Sequence, residues 1–370
     1  MTRIQFGKIV ASLTVATALL VTDGAFAQSD WQSGGGEAWR KALEAGRKEG
    51  KVVVAGHPAL SKPVSEAFER DTGISVEFLG GRPRELATRL TREVKSGNVT
   101  IDLTLGGGTE LSLKDIGKLE AIKPQFILPG VTDPKNWRGG KIKWMDKEEK
   151  YMFQGSNWVH AWPLFNANLV KPGTVTNWAD LLKPEFKGKI VAYDPRFGGP
   201  GQAAAAYLTD TFGIDFVKEL YAGQKVVYTR DGRQLVEWIA RGSYAVALGG
   251  IQLHVEIFKQ KGIKNLSVRQ MKDGPGSLLG GFSVIKQPVG APHPAAATVF
   301  LNWYASKPGQ ETYSRRMLEP SMRRDVDVDT VPDYVKPKPG VTYLDQYVED
   351  WYTQTRPKVS KSIVEALGGR

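Results

Sequence analysis

Residues 50–57 read Gly50-Lys51-Val52-Val53-Val54-Ala55-Gly56-His57. A short β-branched run between two glycines predicts a buried strand over 51–55, and its flanks decide which kind of sheet it joins. Upstream, Trp39, Ala42, Leu43 and Gly46 recur at helical spacing over 38–49, and Gly50 stands at the C-terminal cap position. Downstream, Val64, Ala67 and Phe68 mark a helix ending at Gly73, followed by a strand over 74–79. Leu86, Leu90 and Val94 then mark a helix ending at Gly97, followed by a strand over 101–105. Strands and helices alternating this closely predict an α/β sheet with parallel pairs.

A second series of the same kind begins near Val159. Strands are predicted over 189–193, 226–229, 245–248 and 282–285. Helices are predicted from Pro200, over 234–240 and 253–261, and over 295–318 with a break at Pro308-Gly309. Two α/β sheets in series predict two lobes with a cleft between them. From Asp325 the chain carries Asp327, Asp329, Pro332, Pro337 and Pro339. That composition predicts extended surface, with a short amphipathic helix over 344–352.

The 370 residues are enough for about two domains. A chain 41% hydrophobic and 24% charged is globular, and one with no cysteine has no disulfide, thiolate zinc site or thiol nucleophile. The net charge of +11 favours acidic partners, but its lysines and arginines are spread along the chain without a basic stripe, so nucleic acid is not expected. Arg3 and Lys8 precede an apolar run over 9–21, and Ala25-Phe26-Ala27 follows. This pattern predicts a signal peptide over 1–27, cut after Ala27. Its apolar run falls short of the roughly 20 residues that a spanning helix needs. The expected location is the periplasm.

In open α/β sheets ligands gather where strands run into helix N-termini. The loops at those positions are rich in glycine: Gly56-His57-Pro58, Gly80-Gly81-Arg82, Gly106-Gly107-Gly108-Thr109, Gly198-Gly199-Pro200-Gly201, Asp231-Gly232-Arg233 and Gly249-Gly250. Glycine admits close backbone approach, and the helix start offers free N–H groups to an anion. Arg82, Arg84, Arg196 and Arg233 lie in or beside the same loops, and a guanidinium holds a carboxylate or phosphate with paired hydrogen bonds. Trp158, Trp162 and Phe165 are candidate apolar walls. The chain contains no G-x-S-x-G elbow, phosphate-loop lysine motif or H-E-x-x-H, so no catalytic residue, metal ligand or cofactor is assigned.

Several stretches in order carry a resemblance. Gly50-Lys51-Val52-Val53-Val54, Asp71-Thr72-Gly73-Ile74-Ser75-Val76 and Leu119-Glu120-Ala121-Ile122 are followed by Trp178-Ala179-Asp180-Leu181-Leu182, Phe186-Lys187-Gly188-Lys189-Ile190 and Pro292-His293-Pro294-Ala295-Ala296-Ala297. Together they resemble the periplasmic solute-binding proteins of ABC importers, in the branch labelled ferric-iron type. The resemblance implies a two-lobe type II periplasmic-binding-protein fold, hinged around an interlobe ligand cleft. The first lobe is expected over 37–157 plus 278–325, the second over 158–277, and a tail over 326–370 packing on the lobes. It also implies a monomer that delivers its solute to an ABC permease. At the positions where the family's iron binders place two adjacent tyrosines, this chain has Gln252 and Leu253. A small organic anion of carboxylate or phosphate type is therefore the expected solute. His57, Arg82, Gly107, Gly108, Thr109, Trp158, Gly199, Gly201, Arg233 and Gly250 are its expected contacts. Ferric iron, and an exported enzyme on the same fold, stand as the alternatives.

Overall fold

The computed structural model describes residues 30–369, so the signal peptide expected over 1–27 lies outside the described residues. Helix α1 (Gly36–Glu49) leads into β1 (Lys51–Gly56), followed by α2 (Ser61–Thr72), β2 (Ser75–Gly80), α3 (Pro83–Ser96) and β3 (Leu103–Gly106). The predicted glycine stops are real: Gly50, Gly73 and Gly97 have φ of 78°, 75° and 72°, each capping the helix before it. Short helices α4 (Leu111–Asp115) and α5 (Pro129–Thr132) precede β4 (Phe153–Gln154), and β5 (Trp158–His160) follows.

The second half continues through β6 (Leu164–Asn166), β7 (Ile190–Tyr193), α6 (Pro200–Phe212), α7 (Ile214–Lys218), β8 (Val227–Thr229), α8 (Gly232–Ala240), β9 (Val246–Leu248), α9 (Gln252–Gln260) and β10 (Leu266–Val268). The chain returns through β11 (Ser277–Leu279) to β12 (Val284–Lys286), α10 (Pro294–Ala305) and α11 (Lys307–Met317). It ends with β13 (Leu344–Asp345) and α12 (Arg356–Ala366).

Two five-stranded sheets result, in the orders β2-β1-β3-β12-β4 and β10-β6-β9-β7-β8. In each, three neighbouring strands are parallel, β1 with β2 and β3, and β7 with β8 and β9, while β12 and β6 join them antiparallel. Each sheet has its own apolar core. Val52, Val54, Phe68, Phe300 and Trp303 are buried in the first; Phe165, Ile190, Leu208 and Val246 in the second. A third, small sheet of order β13-β11-β5 joins the halves. Strands β5 and β11 pair antiparallel, Ser277 opposite His160 and Leu279 opposite Trp158, and form a two-strand hinge.

Two local expectations change. The break expected at Pro308-Gly309 within 295–318 falls two residues earlier, at Ser306, whose φ of −77° and ψ of 171° are extended, so that Pro308 lies in the first turn of α11 where its missing N–H costs nothing. The amphipathic helix expected over 344–352 is a strand at its start, because Leu344 and Asp345 find backbone partners in β11. Helical structure begins only at Glu349 and runs on through α12.

Candidate functional site

His57 follows directly on β1. Its Nδ1 accepts from the Ala59 N–H at 3.1 Å, which leaves the proton of the neutral ring on Nε2, and its edge meets Phe282 with ring centroids 4.7 Å apart. Burial, then the charges of His254 and Arg316, lower its pKa to about 4. Arg316 is placed beside it by donating Nε to the Ala59 carbonyl oxygen at 2.8 Å. Arg82 is exposed at the start of α3, with Glu85 at 4.0 Å. The side chain of Arg84 lies outside the described residues.

The second lobe supplies the facing wall. Asp231 caps α8 by accepting from the N–H groups of Arg233 and Gln234 at 2.8 and 3.1 Å, and the Arg233 side chain is exposed. The His254 ring lies against the first residue of α8, so close that a Cβ at Gly232 would stand 2.7 Å from its Cδ2. Burial lowers the His254 pKa, with Asp231 opposing and Arg233 reinforcing. Tyr193, at the end of β7, is raised by burial, while Arg82 and Arg230 act against that rise. His57 thus senses a histidine of the other lobe, and Tyr193 an arginine of the other lobe. The loop after β9 presses on the start of α6: Gly249 has φ of 73°, and a Cβ there would stand 2.7 Å from the Cα of Gly201. Gly199, with φ of 130°, precedes the same helix.

Between the walls, the floor is built from the hinge and the start of α9. Trp158 is 3% exposed, its indole N–H makes no hydrogen bond to the protein, and its ring meets His160 edge-on at 5.2 Å. His160 Nε2 lies 3.2 Å from the Gly250 carbonyl oxygen, which can only accept, so Nδ1 is left as an unpartnered acceptor. The Gln252 side-chain amide donates to the Met317 carbonyl at 3.0 Å and to Glu319 Oε1 at 3.4 Å. Its own oxygen has no partner. Glu319 is fully enclosed and accepts from the Tyr313 hydroxyl at 2.8 Å; burial pushes its pKa up to about 8, which favours its protonated form at neutral pH.

Of the expected contacts, His57, Arg82 and Arg233 stand within electrostatic reach of His254 or Tyr193, Gly199 and Gly201 adjoin Tyr193 at the start of α6, and Trp158 and Gly250 each adjoin His160. The loop after β3 is occupied differently. The Gly107 carbonyl accepts from the buried Lys286 Nζ at 2.8 Å. A Cβ at Gly107 would stand 3.3 Å from the Tyr347 hydroxyl, and one at Gly108 would stand 2.0 Å from Met145 and 3.2 Å from Tyr352. Gly107 and Gly108 therefore serve close packing by the tail, and Thr109 is exposed beside them. Arg196 is bound to Asp194, Nη2 to Oδ2 at 2.8 Å, and stacks on Tyr228 at 4.8 Å. Phe165 belongs to the second core, and Trp162 packs on Tyr334 at 5.2 Å.

Sequence reasoning missed Tyr193, His254, His160 and Glu319. Only His160 leaves a signal: in Trp158-Val159-His160 the outer two residues share one face of a strand. A separate cavity of about 480 Å³ lies behind the hinge, lined by Leu278, Val326, Val328, Val331, Arg138 and Lys336 among others, and by none of the strand-end glycines. No helix of the described residues is long and apolar enough to cross a membrane.

Comparison with known proteins places this geometry. An uncharacterized protein of Haemophilus influenzae is 26% identical over 321 residues, covering 83% of this chain and 82% of its own length. Among solved structures, the periplasmic binding protein AfuA from Actinobacillus pleuropneumoniae, with fructose-6-phosphate bound, superposes with a TM-score of 0.65 at 19% identity, covering 86% of this chain and 98% of that one. Iron-bound HitA from Pseudomonas aeruginosa superposes with a TM-score of 0.63 at 16% identity, covering 85% and 99%. The Trichodesmium protein in complex with iron and citrate gives 0.64 at 18%, covering 87% and 100%. The model of the bacterial extracellular solute-binding proteins matches residues 54–311, more than half the sequence, and the chain belongs to that family, on a two-lobe periplasmic-binding-protein fold.

Proposed function

We propose that the protein is the periplasmic solute-binding component of an ABC importer and that it captures a small organic anion between its lobes. The observation that carries this reading is that Arg316, held at Ala59 beside His57, and Arg82 on the first lobe, with Arg230 and Arg233 on the second, all act electrostatically on His57, His254 or Tyr193. Of the carboxylates beside them, Asp231 is engaged in capping α8 and Glu85 is paired with Arg82, while burial favours the protonated form of Glu319 at the floor. Cationic groups facing a partly desolvated seam favour an anion and steer its approach.

The floor supports an organic body rather than a bare inorganic ion. Unpartnered acceptors on His160 and Gln252 and the unpartnered indole donor of Trp158 suit hydroxyl groups, and Trp158 offers an apolar ring edge. A structure of the same fold holds a sugar phosphate, and another holds citrate together with iron. Contacts to both lobes give such a solute a higher affinity for the closed form, which a membrane permease then recognises.

Thermal-shift titration with fructose-6-phosphate, citrate and ferric ion tests the reading. A stabilisation by one of the organic anions alone, returned chemically unchanged, is the expected result. A coloured complex formed with ferric ion and no response to the organic anions would replace it with the iron reading, and turnover of a solute would replace it with the enzyme reading.

A further inference from the structure

Residues 341–369 lie beyond the stretch matched by the family model, and they touch both lobes and the hinge. At the hinge, β13 adds to β11 in parallel, Leu344 opposite Ser277 and Asp345 opposite Leu278, and the Gln346 N–H donates to the Leu278 carbonyl at 3.1 Å. On the second lobe the hold is apolar. Trp351 and Ile363 are buried in its core beside Val217 and Leu220. Arg356 bonds Gln202 at 3.2 Å and lies over the Tyr352 ring at 4.2 Å.

On the first lobe the hold is ionic. Glu349 pairs with Lys114 at 2.7 Å, their side chains 13% and 9% exposed. Asp345 pairs with Lys143 and Asp350 with Lys147. Glu349 also accepts from the Lys147 N–H at 2.8 Å. Tyr347 and Tyr352, seated over Gly107 and Gly108, pack there against the cluster that includes Leu111, Leu113 and Met145. An exposed pair such as Lys147–Asp350 is weak and screened by salt, a partly buried one such as Lys114–Glu349 is screened less, and apolar burial is not screened at all. The segment therefore travels with the second lobe and parts from the first when the ion pairs break.

We propose that residues 341–369 form an ionic latch: anchored in the second lobe, they hold the first through Lys114, Lys143 and Lys147, and the cleft opens for solute exchange only when these pairs release. The inference relies on the binding-protein reading solely in requiring that the lobes separate. It is tested without solute, so its failure and that of the anion reading are distinguishable.

The cysteine-free chain allows clean spin labelling at Lys95→Cys on the first lobe and Lys187→Cys on the second. In the solute-free protein at low salt, pulsed electron–electron distance measurement is expected to give one short interlobe distance. The combined variant Asp345→Asn, Glu349→Gln is expected to shift several-fold more of the population to a longer distance, as is NaCl at about 1 M with the unmodified chain, where the Debye length is ~3 Å. Added to Glu349→Gln, the charge-swapped pair Lys143→Asp, Asp345→Lys is expected to restore the short distance at low salt, which Asp345→Lys added without Lys143→Asp does not. An unchanged distribution in the neutralised variant, with native circular dichroism, overturns the latch. So does a charge swap that stays open, which marks a packing defect rather than an ionic hold.

Discussion

The side-chain amide of Gln252, in the second lobe, donates to the main-chain oxygen of Met317, in the first, at 3.0 Å. The same amide reaches the carboxyl group of Glu319 at 3.4 Å, so the floor of the cleft is closed by neutral polar groups from both sides. Above it, arginines outnumber the carboxylates Asp231 and Glu85, and burial favours the neutral form of two histidines.

Glu319 makes the protein's stability depend on pH. Its folded pKa is about 8 against an ordinary 4.5, so between those values the unfolded chain releases a proton that the folded one keeps. The contribution of Glu319 to stability is whole below pH 4.5 and is lost at ~1.4 kcal/mol per pH unit as pH rises towards 8, showing as a net decline above about 6.5, where His160 no longer offsets it. Glu319→Gln removes that decline, which denaturant unfolding at pH 5, 6.5 and 8 will show.

His160 acts in the opposite direction. Burial lowers its pKa from 6.5 to about 4, so on acidification the unfolded chain takes up a proton first and stability falls across that window by ~1.4 kcal/mol per pH unit. His160→Gln flattens the acid side of the profile, measured by thermal unfolding between pH 7 and 4.

Gly249→Ala forces a Cβ into a backbone at φ of 73° and to within 2.7 Å of the Gly201 Cα. A loss of about 1–3 kcal/mol is expected. The same substitution at Gly262, also at positive φ but with open space around it, carries the strain alone and costs less. Chemical denaturation of the two variants side by side checks the difference.

Arg233→Ala and Arg82→Ala should each weaken solute binding at least about tenfold, ~1.4 kcal/mol, with unfolding unchanged because both side chains are exposed. Isothermal titration gives the first quantity and denaturation the second. An undiminished affinity in both variants removes the arginines from the site.

The alternation around 51–105 made the first sheet legible, since periodicity and glycine stops are local signals, and the same holds from β7 to α9. The glycine loops pointed to the seam, but they did not separate its two uses. Gly249 and Gly201 bring cleft-side backbone together, whereas Gly107 and Gly108 make room for Tyr347 and Tyr352, contacts some 240 residues away along the chain that no local pattern encodes. Glu319 was hidden for a related reason: its chemistry comes from burial beneath Gly281 and Tyr313, a property of packing rather than of the Leu318-Glu319-Pro320 sequence.

Native mass spectrometry of the protein as isolated from its own cells tests the central claim most directly. The account predicts a retained mass that leaves intact on denaturation, is detected in negative-ion mode as an organic carboxylate or phosphate, and is lost from the Arg82→Ala, Arg233→Ala double variant. A retained metal without an organic anion, or a retained cationic or uncharged solute, would contradict it.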